Sequence, residues 1–464
     1  MMDRLIELFT GHHKIPVTRR LILSFMSLIL IGSLLLSLPV MHRTGAPATN
    51  YLDHLFTAVS MVCVTGLSVF PVGQVYNIYG QLVSMLLMQF GGLSLVTLIA
   101  VSFYLLRRKM SLNDQFLLQS AIARDSSSDL KDYLFSIYKI TFSIEGLGAI
   151  LLMIDFIPRF GWTRGIFNSL FLTVSAFCNA GFDNLGSNSL MDFRLNPLVN
   201  FTVTFLIISG GLGFSVWQDL LKAAKQSWTS KPKQLRIIPQ KLSHHSLLVL
   251  QTSFLILLLG TCLAWLLEFS NGKSIGHFNL FQQGMISFFQ SVTMRTAGFS
   301  TLDYTQTHLS TNLLYILQML IGGAPGGTAG GFKVTVAAIL FLLFRAEISG
   351  QSRVNYRYRT ISTRIIRQTL IILVFFFLVL ISGYLLLLEF EPKLNPFALF
   401  FEASSALATV GVSMNLTTQL STVGRIIIML LMFIGRVGPI TVLLGLLQKK
   451  EKDIHYAETD IILG

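Results

Sequence analysis

The chain has 464 residues, 52% hydrophobic and 12% charged, with a mean hydropathy of +0.65 and 35 Lys and Arg against 22 Asp and Glu. A charged share about half that of soluble domains excludes an ordinary soluble enzyme and a disordered chain, and makes the bilayer the solvent. The net charge of +13 sits in short clusters between apolar runs, the pattern of cytoplasmic membrane loops and not of a nucleic-acid-binding surface.

Residues 1–20 are polar and basic, and the apolar run after them has no small-x-small cleavage site. They are expected to form a cytoplasmic N-terminus rather than a signal peptide. Apolar runs of spanning length follow at residues 21–40, 82–106, 133–154, 198–221, 247–267, 313–344, 368–388 and 423–447; about 20 apolar residues cross a bilayer as a helix. Within each successive pair lies a shorter half-apolar segment, at 52–61, 164–177, 279–292 and 396–407. These segments are too short to span and too apolar for water, which fits re-entrant helices.

Each short segment ends in a similar phrase: Val64-Thr65-Gly66-Leu67, Asn179-Ala180-Gly181-Phe182, Thr296-Ala297-Gly298-Phe299 and Thr409-Val410-Gly411-Val412. The glycines are 115, 117 and 113 residues apart. The expected fold is an all-α integral membrane protein of four tandem helix–pore-helix–filter-loop–helix repeats. Eight spanning helices and four re-entrant pore helices then surround a central pore. The repeats are placed at 21–106, 133–221, 247–344 and 368–447, with cytoplasmic loops at 222–246 and 345–367 and a cytoplasmic C-terminus at 448–464.

With the N-terminus inside, the cytoplasmic segments carry 25 Lys and Arg, the outer segments 7 and the helical stretches 3. This asymmetry puts both termini in the cytoplasm and brings the glycine loops in from outside. Cys63, Cys178 and Cys262 lie in apolar stretches and make no disulfide framework. The histidines offer no metal site, and no Ser/His/Asp or HExxH arrangement points to an enzyme.

Non-helical backbone at membrane depth must be buried in protein or line a water-filled cavity. Four such loops around one axis aim backbone carbonyls into a common path, where they replace the hydration shell of a cation. The glycine in each phrase supplies the unusual dihedrals this needs. The candidate ion-binding residues are therefore Val64, Thr65, Gly66, Asn179, Ala180, Gly181, Thr296, Ala297, Gly298, Thr409, Val410 and Gly411.

These phrases, with Arg295-Thr296-Ala297-Gly298-Phe299 and the run 322–331, resemble the Trk/Ktr/HKT superfamily of potassium transporters over about residues 21–447. The likeness is greatest to the bacterial KtrB-type ion-translocating membrane subunit, because only one spanning helix precedes the first loop. The resemblance implies K⁺ as the transported ion and a bacterial plasma-membrane location. It also implies a membrane homodimer and a cytosolic KtrA-type ring that binds ATP or ADP. Sodium as an activator is implied in the same way. Members with serine at the first filter position tend to pass sodium; Gly66 stands there here. A sodium-permeable member of the superfamily and a solute–cation symporter are the alternatives, and four parallel repeats count against the symporter.

The sixth run is broken by Gly322, Gly323, Ala324, Pro325, Gly326, Gly327, Thr328, Ala329, Gly330 and Gly331, which cannot continue a helix in hydrocarbon. Phe332 intervenes before Lys333, so this is no nucleotide-binding P-loop. The resemblance implies a gate loop beneath the filter, with Arg436, an intramembrane charge, beside it. Lys333 is a lesser candidate for that region, and Arg295 is expected to brace the third loop from behind. Glu145 and Glu402 are read as hydrogen-bonded packing residues before cation attractors. Nine outer acids, among them Asp53, Asp155, Asp183, Asp303, Glu268, Glu391 and Glu402, against seven bases predict a mildly cation-attracting mouth.

Overall fold

The computed structural model describes residues 17–93, 130–229 and 241–438. The expected segments 1–16 and 448–464, the inner parts of the runs 82–106 and 423–447, and parts of the basic loops 107–132 and 222–246 lie outside these residues. The described chain is helical apart from connecting loops and one two-stranded hairpin.

Helix α1 (Val17–Leu36) leads through a short turn to α2 (Tyr51–Val62) and α3 (Ile78–Leu93). Helices α4 (Leu130–Phe160), α5 (Trp162–Cys178) and α6 (Pro197–Gly211) repeat this order, and α7 (Phe214–Thr229) follows. Next come α8 (His244–Glu268), α9 (Leu280–Thr293), α10 (Leu309–Leu320) and α11 (Val334–Ile348). After the hairpin β1 (Asn355–Tyr356) and β2 (Arg359–Thr360), α12 (Thr363–Phe390), α13 (Pro396–Leu407) and α14 (Thr422–Val437) close the series.

Among the described residues, α8, α12 and residues 134–160 of α4 are each long and apolar enough to cross a membrane. Helices α6 and α7 pass the same test only together, and they meet at 100°. The apolar run expected over residues 198–221 is thus divided between two helices. The bend falls at Gly213, whose φ is +85°, a conformation that suits glycine. The apolar run reaches Trp217, just past the bend, before Gln218 and Asp219, so hydropathy alone does not place the bend.

The short helices α2, α5, α9 and α13 lie within one or two residues of the four half-apolar segments. Their starts are specified locally. Asn50 and Asp53 form a capping box on α2, Asn279 and Gln282 form one on α9, and Asn395 Oδ1 accepts from the amides of Phe397 and Ala398 on α13. Such caps satisfy the orphan amides of a first helical turn. Most of α2, α5, α9 and α13 is buried, whereas α8 and α12 expose Leu and Phe side chains outward. An apolar exterior around a partly polar interior suits lipid as the outer solvent.

Candidate functional site

The residue that starts each phrase is left-handed: Val64 has φ 55°, Asn179 58°, Thr296 67° and Thr409 52°. Two residues on, Gly66, Gly181, Gly298 and Gly411 have φ 104°, 72°, 85° and 98°. Left-handed backbone costs an L-residue roughly 1–2 kcal/mol, and a β-branched residue is a marked outlier there. Its recurrence at the same place in all four loops marks a requirement of the site. The sequence points to unusual dihedrals at the glycines; the left-handed backbone of these four candidate residues carries no signal in it.

The four loops converge. A Cβ built on Gly66 would lie 2.9 Å from the Ala180 carbonyl oxygen, one on Gly181 2.8 Å from that of Ala297, one on Gly298 2.6 Å from that of Val410, and one on Gly411 2.0 Å from that of Thr65. Each glycine abuts the carbonyl that precedes the glycine of the next loop, and the fourth returns to the first. The loops thus form a closed ring in chain order, too tight for any side chain at these positions.

Hydroxyl groups on the short helices hold the loops. Ser60 Oγ accepts from the Gly66 amide at 3.1 Å, Ser175 Oγ from that of Phe182 at 2.9 Å and Ser405 Oγ from that of Gly411 at 3.0 Å. In the third unit Thr293 Oγ1 instead donates to the Phe299 carbonyl at 2.7 Å. These four residues were not singled out from sequence, although Ser60, Ser175 and Ser405 each stand six residues before the loop glycine. Arg295 is buried, and its Nη2 donates to Ser253 Oγ on α8 at 3.1 Å.

On one side of the ring a cavity of about 380 Å³ is lined by the four glycines together with Asp183, Asp303, Ser68 and Asn415. Asp183 is half-buried. Burial first, then the charge of Asp192, push its carboxyl up to about 6, opposed by hydrogen bonds from the Leu185 and Gly186 amides. The other outer acids play different parts. Asp53 pairs with Arg425, Asp155 with Arg159, and the Glu391 carboxylate accepts from the Ser421 amide. Glu268 accepts from the His308 amide, Thr311 Oγ1 and Asn271 Nδ2, and Glu402 from Thr417 Oγ1. Asp183 and Asp303 are the two acids that line the cavity itself, where Asp183 accepts from the Leu185 amide and Asp303 from the Thr305 amide and hydroxyl.

The glycine-rich stretch lies on the other side. Its ends meet where the Gly322 amide donates to the Phe332 carbonyl and the Phe332 amide to that of Leu320. Between them the chain threads under the ring. The Gly330 amide donates to Thr296 Oγ1 at 3.1 Å, Thr328 Oγ1 donates to the Phe177 carbonyl at 3.1 Å, and Gly330 leaves no room for a Cβ beside Thr409. The amides of Ala324 and Thr328 donate to the carbonyls of Gly211 and Gly210, and the Phe214 amide donates to that of Gly326. The bend between α6 and α7 thus cradles the stretch.

Arg436 on α14 donates to the carbonyls of Thr328, Gly91 and Gly92. Lys333 Nζ donates to the Ala329 carbonyl at 2.7 Å. Both charges are held by backbone oxygen, and among the described residues neither has an acidic partner. The structure therefore brings Arg436, Lys333 and the whole run 322–331 together, directly beneath two of the four loops.

Helix glycines complete the scaffold. A Cβ on Gly91 would lie 2.2 Å from the Val62 carbonyl oxygen, on Gly210 1.9 Å from that of Phe177 and on Gly435 1.9 Å from that of Leu407. In three units the second helix therefore packs backbone to backbone against its short helix. In the third, α10 stops at Leu320, and Gly322 packs against the Gly330 carbonyl instead.

Comparison with known proteins matches residues 19–455 to the family described as TrkH, cation transport protein. The chain is 36% identical over 446 residues to the potassium/sodium uptake protein NtpJ of Enterococcus hirae, covering 95% of each chain. It is 36% identical to the Ktr system potassium uptake protein B of Vibrio alginolyticus, over 96% of this chain and 94% of that one. Identity to the protein of the same name from Bacillus subtilis is 33%, over 96% of both. The crystal structure of the potassium transporter TrkH from Vibrio parahaemolyticus shares the fold, with a TM-score of 0.73 at 17% identity, covering 94% of this chain and 86% of that one. With its ring of four glycine loops and the full-length match, the chain belongs to the TrkH family of cation transport proteins.

Proposed function

We propose that this protein takes up K⁺ across the bacterial plasma membrane through the ring formed by Val64–Gly66, Asn179–Gly181, Thr296–Gly298 and Thr409–Gly411. The closed contact of four glycines, each loop carrying a left-handed residue two positions before, carries this reading. Alternating left-handed residues turn successive carbonyls of a loop toward one side. Carbonyls from four loops then replace the water lost by a dehydrating cation. Each short helix runs straight into its loop, so the partial negative charge of its C-terminus adds to the field there. Thr65 Oγ1 and Thr409 Oγ1 are buried without a hydrogen-bond partner among the described residues, which leaves both oxygens open to the ion. Asp183 and Asp303 concentrate cations at the outer mouth.

In the same reading, the stretch 322–331 is the gate. Thr296 and Arg436 hold it across the inner side of the ring, with Gly330 packed against Thr409. Arg436 both latches the loop and repels a cation until it moves. Both termini are cytoplasmic, and the protein is a membrane homodimer with one path per chain. A cytosolic nucleotide-binding ring controls the gate, as the Ktr-system names of two relatives suggest, and Na⁺ stimulates uptake. A second reading, in which Na⁺ shares the path, is favoured by the potassium/sodium name of the Enterococcus relative.

The test is ⁸⁶Rb⁺ uptake into proteoliposomes, competed by K⁺ or Na⁺, for the wild type and Gly66→Ser. Competition by K⁺ alone, lost in the variant, is expected. Equal competition by both ions in the wild type would favour the second reading. Uptake unaltered by Gly66→Ser would remove the ring from the path.

A further inference from the structure

The inner face carries an open groove of about 760 Å³ between the start of α8, the end of α11 and the hairpin β1–β2. Arg345, Arg357 and His244 line it, and among the described residues no carboxylate does. Neither Arg345 nor Arg357 is in an ion pair among the described residues. The nearby acid on α7, Asp219, is engaged by the hydroxyls of Ser243 and Ser246. Leu242, Leu247 and Leu342 supply an apolar wall on the same groove, next to Phe341, Phe344 and Ile348, which stand exposed on α11.

The groove is built, not incidental. Tyr356 Oη donates to Gln251 Oε1 on α8 at 2.8 Å, the Ile361 amide donates to the Val354 carbonyl at 2.9 Å, and the Gln351 amide to that of Ala346 at 2.9 Å. The turn places Arg357 and Tyr358 at φ 45° and 63°, a two-residue conformation that usually calls for Asn or Gly. The turn sets Arg357 on the groove opposite Arg345, and the positive charge this gathers suits an anion.

We propose that this groove binds the phosphate of an anionic phospholipid headgroup, with the acyl chains lying along the exposed face of α11. The cations suit an anion, the apolar wall suits an amphiphile, and α8 begins a candidate membrane span at this level. Arg is suited to phosphate through its planar fork of donors, and anionic lipids are concentrated on the cytoplasmic leaflet. Bound there, a headgroup ties the far end of α11 to α8. The near end of α11 follows directly on the stretch 322–331.

The full-length protein in neutral-detergent micelles is titrated with short-chain phosphatidylglycerol, and binding is read by native mass spectrometry, with phosphatidylcholine as the reference lipid. Preferential binding of phosphatidylglycerol is expected, roughly 25-fold weaker in Arg345→Gln/Arg357→Gln at about fivefold per arginine. Lys222→Gln, on the same face but outside the groove, should bind as the wild type does. Arg357→Gln alone, on the exposed hairpin, gives the same reading at about fivefold should the double variant fold poorly. Inorganic phosphate serves as competitor. Displacement at millimolar concentration assigns the groove to soluble phosphate, and resistance assigns it to lipid. Equal binding of both lipids, or unchanged binding in the arginine variants, overturns the proposal. Lipid retention is read independently of ion flux, so its failure and that of the ion path are distinguishable.

Discussion

Arg425 Nη1 donates to Asp53 Oδ1 at 2.6 Å across 372 residues of sequence. The pair joins the start of α14 to the first turn of α2, closing the fourth unit on the first. Asp53 has a second task, because its Oδ2 accepts from the Asn50 amide in the capping box. Both side chains are partly accessible, so the pair itself is worth about 0.5–1 kcal/mol. Asp53→Asn should therefore lower the melting temperature more than Arg425→Gln. A double-mutant cycle on detergent-solubilised protein measures the coupling, and additive losses would show that the pair contributes nothing.

The four ring glycines are not equivalent. The gap to the neighbouring carbonyl narrows from Gly66 and Gly181 through Gly298 to Gly411, where a Cβ would meet the Thr65 oxygen at 2.0 Å. Alanine substitutions should degrade K⁺ preference in that order, Gly411→Ala most and Gly66→Ala least. Competition of ⁸⁶Rb⁺ uptake by Na⁺ ranks them. Equal effects at all four positions would point to lost flexibility rather than to fit.

Thr328→Val removes one hydrogen bond, to the Phe177 carbonyl, while keeping the side-chain volume. A neutral hydrogen bond is worth about 1 kcal/mol, so the glycine-rich stretch should leave its position about fivefold more often. Arg436→Gln removes charged contacts to both Thr328 and α3 and should act more strongly, by roughly tenfold or more. Basal ⁸⁶Rb⁺ leak of the isolated chain is the measurement. A leak that stays at the wild-type level in both variants, with normal amounts of folded protein, would deny this stretch a gating role.

Asp183 supplies the pH dependence. Its carboxyl ordinarily loses its proton near 3.8 and here does so at about 6. Above that value it is ionised and attracts cations; as the outer pH falls through it, the charge is lost. Removing one charge a few ångströms from the ion in solvent costs about 1 kcal/mol, so the KM for ⁸⁶Rb⁺ should rise about fivefold between about pH 7.5 and about pH 5. Asp183→Asn should start at the higher KM and stay there. A wild-type profile retained in Asp183→Asn would assign the titration elsewhere.

The helices and the breaks that sequence found are those with compositional signals. The four short helices were legible because they are half-apolar, bounded and repeated, and the interruption after Leu320 because glycines and Pro325 cannot be helical. The bend at Gly213 was hidden by unbroken apolarity on its α6 side. The hairpin at 355–360 lacks an Asn-Gly turn, since Arg357 and Tyr358 take the left-handed positions. Left-handed Val64 and Thr409 run against residue preference and are imposed by tertiary contact. Glu268 and Glu391 count only as outer acids in the sequence, which lists charges without the donors that engage them.

Three of the four units set a helix glycine on a short-helix carbonyl, and the third gives that contact up to a ten-residue excursion. Only a tandem chain can do this. Four identical subunits would each bring such an excursion to the same axis, where Gly330 already leaves no room beside Thr409. Joining the quarters in one polypeptide frees one of them to diverge, so a single unit carries the excursion and the other three keep the close helix contact.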